Sequence, residues 1–266
     1  SLRMIIQMCH GCSLDILGVT AFISAHLDNK TGHIKLHNQY DAANQLVREN
    51  LYYGSGDTNN ATYTYEYDDW GNILSRKKYA YTTGALGSVL NTKTYGYTNT
   101  QWGDLLTSYN GVAPTCDAMG NHTSYLGKTL TWEGKQLTGY TQGSDSVSYV
   151  YNEDGLRLRK TVNGTVTEYC YNGSVLIGMK IGTGDTAKVL RFSYDASGNV
   201  VAVDYSTDNG SSFTTYYYVR NAQNDIVKLI DNSGNTVVEY TYDSWGKIIA
   251  TTGSLANTVG ANQPFR

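Results

Sequence analysis

The chain has 266 residues, enough for one large domain or two small ones with a buried core. Its formal net charge of -3 and pI of about 5.9 supply no basic face for nucleic acid or for an anionic membrane. Only 16% of residues are charged, while 24 Tyr and 28 Gly stand beside 4 Phe and 2 Pro, which excludes a disordered chain and points to many short strands joined by tight turns.

Residues 1–35 differ from the rest. They hold two of the four Cys, three of the five His and no Tyr. This leader is either a distinct structural element or a stretch foreign to the frame that follows. Cys9 and Cys12 form a lone pair, and His26, His33 and His37 lack the spacing of a second ligand pair, so no metal site is expected. With Cys116 and Cys170 the four cysteines are too irregular for a disulfide framework. The most apolar run, Ile16 to Leu27, is too short for a membrane helix. It also lacks the basic start and continuous apolar centre of a secretion signal.

A repeat begins near residue 36. Tyr67-Asp68-Asp69-Trp70-Gly71-Asn72, Tyr194-Asp195-Ala196-Ser197-Gly198-Asn199 and Tyr242-Asp243-Ser244-Trp245-Gly246-Lys247 are three copies. Tyr151-Asn152-Glu153-Asp154-Gly155 is a close variant. Cys116-Asp117-Ala118-Met119-Gly120-Asn121 carries Cys for Tyr, and Tyr40-Asp41-Ala42-Ala43-Asn44 carries Asn for Gly. The starts at 40, 67, 116, 151, 194 and 242 are separated by 27, 49, 35, 43 and 48 residues, as in an array with degenerate copies.

Each copy has a physical reading. A strand runs into Tyr, Asp opens the turn by accepting a backbone N–H two residues on, and Gly takes the left-handed conformation. Asn110-Gly111, Asn163-Gly164, Asn172-Gly173 and Asn209-Gly210 are hairpin signals. Residues 216–220, 226–230, 236–242 and 247–251 are predicted as an antiparallel meander, with a further turn at Asp231 to Asn235. Apolar periods near 3.6 are few, so little helix is expected. The tail from Thr251 to Gln263 is small and polar and reads as a loop.

These units resemble the YD repeats of RHS proteins and the related repeats of teneurins. Trp132-Glu133-Gly134-Lys135-Gln136-Leu137 is similar to a variant of that repeat, and Asn262-Gln263-Pro264-Phe265-Arg266 is similar to the start of the family's core signature. The resemblance covers about residues 36–266. It implies an all-β fold in which antiparallel tandem hairpins form a curved sheet ribbon, part of a cocoon-like shell around a C-terminal toxin domain. The family's self-cleavage region would lie beyond Arg266, so no catalytic carboxylate carries over. The implied domain plan is a non-repeat leader, 1–35, and a repeat region, 36–266.

The repeat residues Tyr67, Asp68, Gly71, Asp117, Gly120, Tyr151, Gly155, Tyr194, Asp195, Gly198, Tyr242, Asp243 and Gly246 are read as structural turn residues. The aspartates' fixed place before a turn residue favours capping over metal or acid–base work. Asp68-Asp69 and Glu153-Asp154 are neighbours in sequence, so on a strand they would face opposite sides and make poor catalytic dyads. Tyr216, Tyr217 and Tyr218 offer a possible carbohydrate-stacking surface, with cross-strand packing as the simpler use. His122 reads as a turn residue, and the other four His fall in 10–37, which disfavours Ser/His/Asp catalysis.

The sequence therefore points to a non-enzymatic wall segment of a secreted or cell-surface bacterial RHS-type protein, with no cofactor. Its partners would be the rest of its shell and the enclosed toxin. A carbohydrate-binding or cell-wall-associated module is the alternative, and a self-processing enzyme ranks last.

Overall fold

The computed structural model describes residues 14–17, 20–27 and 34–266, with side chains from residue 37 on. Cys9, Cys12 and His33 lie outside the described residues, and so does most of the leader. The compositional boundary near residue 36 falls inside a strand, Ile34–Tyr40.

The described residues are all-β and form two antiparallel sheets, in each of which every strand pairs with its sequence neighbours. The first runs β1 (Leu14–Leu17), β2 (Thr20–Leu27), β3 (Ile34–Tyr40), β4 (Leu46–Tyr52), β5 (Ala61–Tyr67), β6 (Ile73–Tyr79), β7 (Asn91–Gly96) and β8 (Ser108–Tyr109). The second begins with β9 (Thr115–Cys116), β10 (His122–Tyr125), β11 (Lys128–Glu133), β12 (Gln136–Gln142), β13 (Asp145–Tyr151), β14 (Arg157–Val162) and β15 (Thr165–Asn172). It continues through β16 (Val175–Ile181), β17 (Lys188–Tyr194), β18 (Val200–Ser206), β19 (Thr214–Arg220), β20 (Ile226–Ile230), β21 (Thr236–Tyr242) and β22 (Ile248–Thr252). Only local contacts are needed to build such a meander, because most strands leave through a short hairpin and pair at once, the longest links being 80–90 and 97–107 in the first sheet. The chain divides into two compact units, residues 1–114 with 243–245, and residues 115–242 with 246–266.

The predicted C-terminal meander is present, with strand ends shifted by a residue or two. The tail differs from expectation. Instead of a loop it contains a short helix, α1 (Val259–Asn262), and seals one face of the second sheet. Val259 is fully buried with Leu190, Val203, Leu229 and Val238, while Phe265 stands edge-on to Phe192 at 4.9 Å. Gln263 is buried because its amide donates to the Tyr240 hydroxyl (2.7 Å), which in turn donates to the Gly260 carbonyl (2.8 Å). A polar residue can enter a core when its hydrogen bonds are satisfied there, and composition alone hides that.

Among the buried polar residues of the first unit is Glu49, fully enclosed, whose carboxylate accepts the Tyr65 hydroxyl at 2.7 Å. Among the described residues no helix is long and apolar enough to cross a membrane.

Candidate functional site: the repeat turn and its tyrosine clamp

At seven places among the described residues the turn has one construction. The N–H of residue i donates to the carbonyl of i+4 at 2.9–3.0 Å, and the N–H of i+3 returns to the carbonyl of i at 3.0–3.1 Å. The residues at i are Asp41, Asp68, Asp117, Asn152, Asp195, Asn221 and Asp231. Residue i+3 always has positive φ: Asn44 (62°), Gly71 (86°), Gly120 (78°), Gly155 (79°), Gly198 (83°), Asn224 (72°) and Gly234 (82°). Gly246 shares that conformation at 77°, and Asp243 Oδ1 accepts the Trp245 N–H at 3.0 Å. The open space around Gly198 leaves only backbone strain as the cost of a side chain there. Gly198→Val is therefore expected to lower stability by about 1–2 kcal/mol, read by urea denaturation.

The aspartate does more than open the turn. Asp195 Oδ1 accepts the N–H groups of Ser197 and Asn199, both at 2.9 Å, and Oδ2 takes the Asn199 side-chain amide at 3.1 Å. Asp117 repeats this set with Met119 and Asn121, and Asp231 with Ser233 and Asn235. The Asn121 and Asn199 backbone N–H groups, followed by their side-chain amides, hold Asp117 and Asp195 below the usual carboxylate range. For Asp231 the Asn235 amide leads. A carboxyl whose folded pKa is depressed stabilises the fold above its unfolded pKa of about 3.9 and loses that contribution as pH falls through the folded value. The melting temperature is therefore expected to fall below about pH 4. Substituting Asn for Asp at 117, 195 and 231 together should flatten that acid limb, as followed by circular dichroism.

The repeat tyrosine has a role that the strand pattern does not convey. Its hydroxyl reaches back to a backbone carbonyl near the start of the preceding β-strand. Tyr67 donates to Leu46 O (2.8 Å), Tyr151 to Leu137 O (2.9 Å), Tyr194 to Leu176 O (2.5 Å) and Tyr242 to Ile226 O (2.7 Å). Tyr171, outside the aspartate frame, does the same with Arg157 O (3.0 Å). The register shifts by one residue beside Tyr67, Tyr151, Tyr171, Tyr194 and Tyr242, so each tyrosine sits at a β-bulge and clamps it. Burial pushes the Tyr67 and Tyr242 hydroxyls up to about 12, so they stay protonated donors. Packing alone would be served by Phe, so the excess of Tyr over Phe was the available signal. Tyr194→Phe is expected to cost about 1–2 kcal/mol in urea unfolding, since the Leu176 carbonyl loses its donor.

His122 is not in the turn, as expected from sequence, but opens β10 opposite Cys116. The turn is complete at Asn121, so pairing resumes one residue earlier. Cys116 occupies the tyrosine place, with Sγ 3.1 Å from His122 Nδ1. Burial, followed by the Asp117 charge, raises this thiol's pKa, so it is a poor nucleophile. Cys116 and Cys170 are free thiols.

Tyr216, Tyr217 and Tyr218 do not form one platform. Tyr216 is buried, Tyr218 is packed 6.1 Å from Phe265, and Tyr217 is exposed on the opposite face. Among the described residues no three His, Cys, Asp or Glu side chains gather to hold a metal ion. The turn carboxylates are spread along the sheets, and each accepts N–H groups of its own turn, an arrangement that holds backbone.

No protein-family model matches the chain. Over 153 residues, 56% of its length, it is 36% identical to the tRNA3(Ser)-specific nuclease WapA of Bacillus spizizenii. Over 159 residues it is 36% identical to the tRNA nuclease WapA of Bacillus subtilis. The chain spans 6% of the length of these curated relatives. Among solved structures, the crystal structure of TcdB2-TccC3 without its hypervariable C-terminal region matches 92% of this chain. The match takes in 16% of that one, with a TM-score of 0.50 and 15% identity, a likeness of fold.

Proposed function

We propose that this chain is a length of repeat wall in an RHS-type protein that is secreted or displayed at the cell surface. In this reading the sheet encloses a C-terminal toxin domain, and the chain itself catalyses nothing. Its partners are the neighbouring repeats and the enclosed domain. The observation that carries the reading is the seven-fold recurrence, among the described residues, of one turn closed by the same pair of backbone hydrogen bonds. The similarity to WapA nucleases supports it. So does the fold shared with TcdB2-TccC3.

The test is protease protection. In a polypeptide carrying these repeats with their C-terminal domain, that domain is expected to resist trypsin until the wall is opened by Gly198→Val combined with Gly246→Val. Equal digestion with and without the two substitutions would end the proposal.

A further inference from the structure

The second unit carries an open surface that the turns do not explain. Val150, Arg159, Glu168, Lys180 and Val189 stand directly opposite one another across β13 to β17. Directly opposed residues project from the same face. Two residues along, Cys170, Gly178 and Arg191 form a parallel row on that face. The bulges beside Tyr151 and Tyr171 insert Leu158 and Ile177, which are 41% and 39% exposed, and Val150 is 44% exposed. Together these side chains line one cavity of about 730 Å³. Gly178 keeps its floor open, and a Cβ there would come 3.1 Å from the Leu190 carbonyl oxygen.

We infer that this cavity binds a long-chain alkyl carboxylate, a free fatty acid. Arg159, Lys180 and Arg191 bring three cations to this face, Glu168 stands between the first two and Asp204 directly opposite the third, so one positive charge is left over for a single anionic group. Arg191 is already fixed, its guanidinium 4.0 Å above the Phe213 ring, and Arg159 and Lys180 flank Glu168 across the strands. Most of the remaining lining is apolar, with Val150, Leu158, Ile177 and Val189 beside Met179 and Tyr169. Strands β13 to β17 are interior to the sheet, with backbone paired on both edges, so they offer no ladder to a peptide. Val150, Leu158, Ile177 and Val189 offer a sugar no hydroxyl partners over most of the length of the cavity. An alkyl chain asks for neither, and a cavity of this size suits a small ligand.

The test titrates the whole chain with dansyl-undecanoate. A saturable rise in dansyl emission is expected, together with protection of the exposed Cys170 thiol from iodoacetamide, read by mass spectrometry of its peptide. Replacing Arg159 and Lys180 together by Gln should weaken binding about tenfold or more, and so should Ile177→Ser. On the unaltered chain, dodecanoate should displace the probe at least about tenfold better than dodecanol. Absence of saturable binding would overturn the inference. So would unchanged affinity in both folded variants, or displacement by dodecanol as effective as by dodecanoate.

Discussion

Gly253→Ala lowers the stability of the second unit by about 3–5 kcal/mol. Gly253 follows β22 with φ at 107°, a conformation that L side chains rarely adopt. A Cβ there would lie 2.4 Å from the Val237 carbonyl oxygen, 2.8 Å from its carbon and 3.1 Å from Val238 Cα. All three are backbone of β21, and that same carbonyl accepts the Leu255 N–H that turns the tail back over the sheet. Relief would mean parting β21 from the tail. Gly234, at 82° with open space around it, is the internal comparison: Gly234→Ala should cost only about 1–2 kcal/mol. Because the chain has two units, unfolding need not be two-state. Hydrogen exchange at residues 236–252 is therefore the direct readout.

Leu229→Ala should cost about 3 kcal/mol in the same unit. Leu229 lies in β20, fully buried between Tyr218 of β19 and Val238 of β21 as its cross-strand partners. Removing its isobutyl group loses transfer free energy and leaves a cavity that two hydrogen-bonded neighbouring strands cannot close. Urea denaturation with the probe on the second unit measures it. A loss below about 1 kcal/mol would mean that the face under the tail is loosely packed.

The strands and the turns were legible because their signals are local. Asp-x-x-Gly fixes a turn within five residues, and Ile226–Ile230 and Thr236–Tyr242 read as strands from their β-branched and aromatic content alone. What stayed hidden depends on partners far along the chain. The Tyr194 hydroxyl meets a carbonyl 18 residues away, and nothing in a Tyr-Asp dipeptide specifies that partner. The tail from Thr251 to Gln263 looked like a loop because its burial rests on Tyr240 and Tyr205 accepting from Gln263 and Asn262. His122 was misplaced by a single residue, within the ordinary uncertainty of an element boundary. The aromatic run at 216–218 showed its alternation but not which face the tail would cover.

The central claim is that these repeats are wall and not catalyst. Electron cryo-microscopy of a polypeptide carrying this chain together with its C-terminal domain tests it most directly. The account predicts that the strands from Thr115 to Thr252 form one continuous meander lining a lumen, with the C-terminal domain inside it. A C-terminal domain held outside the repeats, with this sheet open to solvent on both faces, would contradict it.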